Sequence, residues 1–348
     1  MPTEITIAAV GDILLPHSMI QGSRIHQKDL FEFSPIFEQV APILKKADLT
    51  IGNLEVPLAG RESRYTTKNK KSGFYTFNCP DELAPCLKNA GFDVLLTGNN
   101  HCMDRGFQGL TRTLSILDRH DIAHTGTYST REQSNEFLII ELQGIRIGIL
   151  SYSKSTNKIP VPAHQAWCVK LTDEAKMIED LKALRPLVDM TIVCPHFGQE
   201  YRHSPIRIQR RIVHNLLKHG ANLILGAHPH VIQPAFQIGK NQAGIYSLGN
   251  FLSTTLRNNP FTRNGVILQI KVVKDDSGKI QLSTPHYIPT WIRRVKSKQG
   301  QARSYEIIPI QEQVKISQTL NLSFAERASM HRAAEHTRAI LNTKVAFP

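Results

Sequence analysis

The chain has 348 residues, enough for one large domain or two smaller ones with a substantial core. Its hydrophobic content of 41% is ordinary for a globular protein, and no apolar run approaches the roughly 20 residues that cross a bilayer. The net charge of +13 favours an anionic partner, but the basic runs carry no interleaved aromatic residues, which argues against nucleic-acid binding.

Two features bear on the cellular compartment. The N-terminus enters a strand-like pattern directly, without a basic and apolar leader, so we expect a cytoplasmic protein that could also bind peripherally at a membrane. The five cysteines are scattered and form no CxxC pair. We therefore expect reduced thiols rather than a zinc knuckle or a redox dithiol.

The first two thirds of the chain alternate between strand-like and helix-like segments. Short apolar runs predict buried strands at 5–10, 49–51, 92–97, 122–127, 137–142, 145–152, 190–194 and 223–225. Apolar residues with helical spacing predict helices at 33–46, 80–90, 109–119, 171–184 and 206–217. Residues 17–32, 60–77 and 153–167 are predicted loops. The second could cover a binding crevice, and the third could approach the substrate.

After residue 230 the pattern changes. Predicted strands at 231–238, 244–248, 265–273 and 280–288 follow one another without helices, which indicates added antiparallel strands. A final helix is predicted at 324–341. We divide the chain into a domain of residues 1–290 and a basic, partly helical C-terminal extension of residues 291–348.

Polar side chains follow five of the predicted strands directly. The carboxyl ends of strands in an open α/β sheet border the crevice in which ligands bind, so these groups should converge. Any one of them alone could be structural, for example as an N-cap. Packing does not readily explain the same pattern at five strand ends. The groups are Asp12, Glu55, Asn99 to His101, His196, and the pair His228 and His230.

Six of these residues are candidate metal ligands: Asp12, Glu55, Asn100, His196, His228 and His230. Two carboxylates, one amide and three imidazoles suit Mn²⁺, Fe or Zn²⁺ better than Ca²⁺. A carboxylate shared by two such ions would hold them roughly 3.5–4 Å apart and supply an activated water.

Further residues around these ligands are candidates for catalysis and substrate binding. His101 is placed for proton transfer to a leaving group, and Asp104 could hold its imidazole in one tautomer. The remaining polar residues of the same segments are candidate substrate-binding residues: Asn53, Asn99, Glu200 and Asn250.

Six motifs occur in a definite order: Gly-Asp, Asn-Leu-Glu, Gly-Asn-Asn-His-x-x-Asp-x-Gly, His-x-Gly-x-Glu-Tyr, Gly-x-His-Pro-His-Val and Ser-Leu-Gly-Asn-Phe. Between about Thr6 and Leu252 this order resembles the CapA family of poly-γ-glutamate (capsule) synthesis proteins. The resemblance implies the calcineurin-like metallophosphoesterase fold. That fold is a four-layer α/β/β/α sandwich with central mixed β-sheets.

The resemblance also implies a ligand grouping. It places Glu55, Asn100, His196 and His228 around one metal, and Asp12, Glu55 and His230 around the other, with His101 as the proton donor. Ordinary metallophosphoesterases carry a histidine at the position of Leu14. This departure predicts one tightly bound ion, with a second bound weakly or not at all, and His17 is a candidate replacement.

Two functions follow as hypotheses. The first is a metal-dependent hydrolase of an anionic substrate, either a phosphoester or a γ-glutamyl polymer. The second is a non-catalytic accessory or export subunit of a membrane-bound poly-γ-glutamate synthase complex.

Overall fold

A computed structural model describes residues 2–25, 30–296, 303–311 and 318–345 of the protein. Its strands, in chain order, are β1 (Thr3–Ile13), β2 (Arg24–Ile25), β3 (Leu30–Phe31), β4 (Leu49–Leu54), β5 (Thr66–Lys68), β6 (Tyr75–Phe77), β7 (Val94–Leu96), β8 (Ala123–Thr125), β9 (Leu138–Leu142), β10 (Ile145–Ser153), β11 (Met190–His196), β12 (Leu223–Leu225), β13 (Ile232–Ile238), β14 (Gln242–Leu248), β15 (Asn250–Leu252), β16 (Asn264–Lys274), β17 (Ile280–Leu282), β18 (His286–Lys296) and β19 (Arg303–Pro309).

The helices lie mainly between the strands of the first two thirds of the chain. They are α1 (His17–Gly22), α2 (Ser34–Phe37), α3 (Ala41–Leu44), α4 (Leu83–Ala90), α5 (Gly106–Arg119), α6 (Arg131–Ser134), α7 (Glu174–Leu184), α8 (Arg207–Lys218) and α9 (Phe324–Leu341). Short 3₁₀ helices occur at Ala163–Cys168, Arg185–Leu187 and Pro260–Arg263.

Two mixed sheets form the centre of the described structure. The first has the order β19-β18-β16-β1-β4-β7-β8, with β15 beside β1 and β17 beside β16. Its strand β1 pairs in parallel with β4 and antiparallel with β16. The second sheet has the order β13-β14-β12-β11-β10-β9. Within it β10, β11, β12 and β14 are parallel, while β9 and β13 are antiparallel additions.

Side chains alternate between the two faces of each strand, so each sheet packs on both of its faces and the sheets form layers. Ile5 and Ile7 of β1 share one hydrophobic cluster with Ile192 and Cys194 of β11, so the sheets pack face to face. The opposite face of the first sheet packs against α2 to α5, and that of the second against α7 and α8. The predicted four-layer α/β/β/α sandwich is confirmed.

Local structure departs from the sequence prediction in several loops and helices. The helix predicted at 33–46 is broken into α2 and α3, and each of the two carries a proline in its first turn. A proline inside one continuous helix would remove a hydrogen bond and clash with the preceding turn. Residues 17–32, predicted as a loop, contain α1, β2 and β3, and residues 60–77 contain the β5–β6 hairpin.

The C-terminal part of the chain contributes to the first sheet. The predicted boundary at residue 290 falls within β18, and β19 pairs with β18 beyond it. Helix α9 occupies the predicted range and begins with a capping box between Ser323 and Glu326. The division into two domains stays a prediction. No helix in the described ranges is long and apolar enough to span a bilayer, and all five cysteines are free thiols.

Candidate metal centre

The sandwich brings the ends of strands from both sheets to one place. Asp12 lies at the end of β1, and Glu55 and Asn100 follow β4 and β7 in the first sheet. His196 ends β11, and His228 and His230 follow β12 in the second sheet. All six predicted ligands are buried. The structure therefore brings together the residues that the sequence placed at separate strand ends.

Glycine at position 11 allows two backbones to meet beside Asp12. A Cβ atom at Gly11 would lie 1.9 Å from the carbonyl oxygen of Gly249, which no side chain could accommodate. The close approach lets β15 pair with the end of β1, with Asp12 and Asn250 in register. A residue from late in the chain is thereby fixed beside the first candidate ligand.

The backbone is held in an uncommon conformation where the second sheet supplies its candidate ligands. His228 and His230 both have positive φ values, 97° and 58°, in the left-handed region that disfavours residues with a Cβ atom. Such backbone strain costs of order 1–3 kcal/mol per residue and clusters at functional sites. Both imidazoles of this segment remain buried at the site.

The first group of donors surrounds the Nε2 atom of His196. The Asn100 Oδ1 atom lies 2.6 Å from it and the Glu55 Oε1 atom 3.3 Å from it. The His228 ring centroid is 4.9 Å from that of His196. Donor atoms bound to one ion at about 2.1 Å lie roughly 3 Å apart, so these spacings suit a shared metal.

The second group of donors surrounds the Nδ1 atom of His230. The Asp12 Oδ2 and Glu55 Oε2 atoms lie 3.3 Å and 3.7 Å from it. The Asn250 Oδ1 atom is closer, at 3.0 Å. Glu55 thus offers one carboxylate oxygen to each group, as a bridging ligand does.

The hydrogen bonds of these donors test whether the residues fit a cation. Both carboxylate oxygens of Glu55 and the Nδ1 atom of His228 are buried without a hydrogen-bond partner in the described structure. Burying such groups unpaired costs about 1–3 kcal/mol each, and more when they are charged. Carboxylate, amide and neutral imidazole are also the donor types that divalent transition metals prefer. The residues therefore fit one or two such ions.

Burial and mutual charge set the protonation of the site. Burial lowers the pKa of His196 to about 3, and burial together with the charges of neighbouring histidines holds the pKa of His228 well below its usual value. These low pKa values favour the neutral imidazole, which binds metal through a lone pair. Burial and the nearby Asp12 carboxylate raise the pKa of Glu55. Against the effect of burial, Glu55 and Asp12 raise the pKa of His230 to about 10.

The predicted catalytic pair lies at the same edge. The His101 Nδ1 atom is 2.7 Å from Asp104 Oδ2, and that oxygen also accepts a 2.6 Å hydrogen bond from the Phe77 backbone N–H. The Phe77 ring meets the imidazole edge-on, with centroids 4.7 Å apart. Although burial alone lowers the pKa of His101, the Asp104 carboxylate raises it overall. The carboxylate holds the imidazole in one orientation and leaves Nε2 for other partners.

Asn157 joins the site although the sequence reasoning did not identify it. It is buried, has a left-handed φ of 51°, and accepts a 3.2 Å hydrogen bond from Asn100 Nδ2. This bond turns Asn100 Oδ1 towards His196. The Asn157 Nδ2 atom lies 3.5 Å from both ring nitrogens of His101. Only the suggestion that residues 153–167 approach the substrate pointed to this segment.

Two of the predicted substrate-binding asparagines are engaged within the protein. Asn53 donates to Asp12 Oδ1 at 2.7 Å, and Asn99 donates to the Leu54 carbonyl at 2.7 Å. Both side chains therefore brace the candidate ligands. Glu200 is half-buried beside the site, where its charge favours protonation of His230. A substrate role for these residues stays a prediction.

Neither Leu14 nor His17 supplies a donor to the metal groups. Leu14 is buried in the hydrophobic cluster that the helices cover. The His17 ring stacks on Tyr65, and its Nδ1 atom accepts a 3.3 Å hydrogen bond from the Tyr65 backbone N–H. His17 is absent from the groups of metal-binding side chains among the described residues.

Comparison with known proteins supports the family that the sequence motifs indicated and the fold that the structure shows. A sequence model of the family described as "Bacterial capsule synthesis protein PGA_cap" matches residues 6–255. The chain is 28% identical over 275 residues to the PGA biosynthesis protein CapA of Bacillus subtilis (strain 168), covering 79% of this chain and 69% of that protein. It is 26% identical over 253 residues to the capsule biosynthesis protein CapA of Bacillus anthracis, covering 72% and 60% respectively.

Among solved structures, the calcineurin-like phosphoesterase YfkN from Bacillus subtilis superposes with a TM-score of 0.52 at 13% identity, covering 97% of this chain and 100% of that one. At this identity the likeness shows the fold alone. It is the fold that the resemblance to the CapA family implied.

Proposed function

This chain belongs to the PGA_cap family of bacterial capsule synthesis proteins, and we propose that it is a metal-dependent hydrolase of an anionic substrate. The bond it cleaves would be a phosphoester or the amide of a γ-glutamyl polymer. In both cases water attacks a centre that carries an electronegative oxygen, and a leaving group must accept a proton.

The observation that carries this proposal is the environment of Glu55. Its carboxylate is fully buried, both oxygens lack hydrogen-bond partners in the described structure, and each faces a different histidine. A divalent ion held there would lower the pKa of a water molecule and polarise the oxygen of the bond to be cleaved. The remaining residues would hold that ion and move protons.

His101 would donate the proton to the leaving group. Asp104 binds its Nδ1 atom and fixes the ring, so Nε2 is the atom that exchanges a proton. A positioned general acid of this kind typically contributes 10²–10⁴-fold to the rate.

Cations around the site support an anionic substrate. Lys154 donates to the Gly198 carbonyl within the segment that follows His196, and its charge contributes to the low pKa of His228. Arg257 is exposed and hydrogen-bonds Tyr201 in the same segment. These cations add a local attraction to that of the net charge of +13.

The test is hydrolysis by protein stripped with chelator and reloaded with Mn²⁺ alone. Nitrophenyl phosphate mono- and diesters report the phosphoester class, and chain shortening of purified poly-γ-glutamate reports the amide class. We expect the Mn²⁺-loaded protein to hydrolyse one of these two classes and the metal-free protein to hydrolyse neither. His101→Ala should lose at least about 100-fold in hydrolysis rate while its bound metal is unchanged.

Metal-loaded protein that cleaves neither class would refute the hydrolase proposal. It would leave a non-catalytic role in capsule synthesis. His286→Ala is a suitable control because this histidine is exposed on β18 and outside the metal groups.

A further inference from the structure

We propose that Asn250 is a ligand of the second metal ion, in place of the histidine that Leu14 does not provide. This inference rests on the proposed metal site and adds a donor that neither the motifs nor the comparisons assign. It turns a three-donor group into one with four donors.

The position of Asn250 is fixed by the sheet. The residue is fully buried, and β15 pairs with β1 so that Asn250 is opposite Asp12. Its Nδ2 atom donates a 2.7 Å hydrogen bond to the Thr262 carbonyl. With the amide nitrogen held there, Oδ1 must point the other way, and it lies 3.0 Å from His230 Nδ1. An amide oxygen has two lone pairs and can bind a cation.

The first donor group contains the same arrangement. There the Asn100 amide nitrogen is held by Asn157 Oδ1 at 3.2 Å, and its Oδ1 lies 2.6 Å from His196 Nε2. In both groups an oxygen acceptor fixes the amide nitrogen, and the amide oxygen meets a histidine nitrogen beside Glu55. Asn100 is a predicted metal ligand in the first group, and Asn250 has the same geometry in the second group.

The donor count favours the same conclusion. Leu14 packs under the helices and offers nothing to the second group. Without Asn250 that group has three protein donors, and with it each group has four. Both groups then combine carboxylate, amide and imidazole, the set that suits Mn²⁺, Fe or Zn²⁺.

A simpler role for Asn250 would be to accept a hydrogen bond from His230 and orient its ring. Cobalt spectroscopy separates the two roles. A cysteine at position 250 that binds Co²⁺ does so as a thiolate and produces a sulfur-to-cobalt charge-transfer band in the near ultraviolet. A side chain at position 250 that contacts only His230, and not the ion, cannot produce this band. We expect the band in Asn250→Cys loaded with Co²⁺ and not in the wild-type protein.

Asn222→Cys is the matched control, because Asn222 lies at the opposite end of β12 from the site. It should bind Co²⁺ like the wild type and show no band. Absence of the band in Asn250→Cys, with two ions bound, would overturn the ligand assignment.

Metal counting gives an independent readout with Mn²⁺ alone. We expect two ions in the wild type, and in Asn250→Ala one tightly bound ion with the second weakened at least about 10-fold. The retained first ion shows that the variant is folded. Two equally tight ions in Asn250→Ala, or a single ion in the wild type, would overturn this inference while leaving a hydrolase with one ion. A wild-type protein that binds none would overturn the proposed function as well.

Discussion

Removing His228 should abolish much of the stabilisation that metal gives this fold. His228 is buried, its Nδ1 atom has no hydrogen-bond partner in the described structure, and it belongs to the donor group of Glu55 and His196. His228→Ala therefore breaks no hydrogen bond of that atom in the metal-free protein, but it removes one donor. Comparing each variant with its own metal-free form cancels the packing that is lost.

The size of the effect follows from linkage. An ion present at 100 times its Kd stabilises the folded state by about 2.7 kcal/mol. At about 2.1 cal/mol/K of unfolding entropy per residue, a chain of 348 residues has about 0.7 kcal/mol/K, so the ion of this group should raise the wild-type Tm by about 4 °C. With the affinity of this group reduced 100-fold or more, the metal-induced rise in His228→Ala should be about 3 °C smaller than that of the wild type at the same Mn²⁺ concentration.

Differential scanning calorimetry with and without Mn²⁺ measures both shifts. His286→Ala should shift like the wild type, because the exposed His286 lies outside the donor groups. An equal metal-induced shift in His228→Ala and the wild type would show that His228 is not a ligand. That result would refute the reasoning from its unpaired nitrogen.

Two further predictions concern the stability of the fold away from the site. Tyr152→Phe removes a buried 2.8 Å hydrogen bond to Asp180 and should lower the free energy of unfolding in urea by about 1.5–3 kcal/mol. Tyr246→Phe should lower it by less than about 0.5 kcal/mol, because the buried Tyr246 hydroxyl has no partner in the described structure. Equal losses in the two variants would show that the hydrogen bond to Asp180 does not stabilise the fold. Against partial burial, the hydrogen bond from Arg293 helps lower the pKa of Glu326 to about 2, so this carboxylate stabilises the fold above its unfolded pKa of about 4.5 and loses that contribution as the pH falls towards 2. The wild type should therefore have a larger free energy of unfolding than Glu326→Gln at pH 6, and the difference should shrink as the pH falls from about 4.5 towards 2. A difference that does not change with pH would refute a stabilising role of the ionised Glu326 carboxylate.

The amino-acid sequence alone determined the types of the candidate ligands and their order along the chain. A short apolar strand followed by a turn and a polar residue is a local pattern, so Asp12, Glu55, Asn100, His196 and the two histidines after β12 could be identified before any contact was known. The sequence also predicted helix α9 over the range in which the structure shows it. It failed at residues 33–46, where the apolar spacing masked the effect of two prolines.

Only the tertiary structure decided that Asn157 joins the other amides at the site and which way these amides face. Asn157 reaches Asn100 and His101 from a loop more than fifty residues further along the chain. Asn250 reaches His230 because a glycine lets β15 pair with the end of β1. The orientation of an amide depends on the partner of its nitrogen, and that partner is set by sheet register and loop packing. No local pattern in the sequence encodes those long-range contacts.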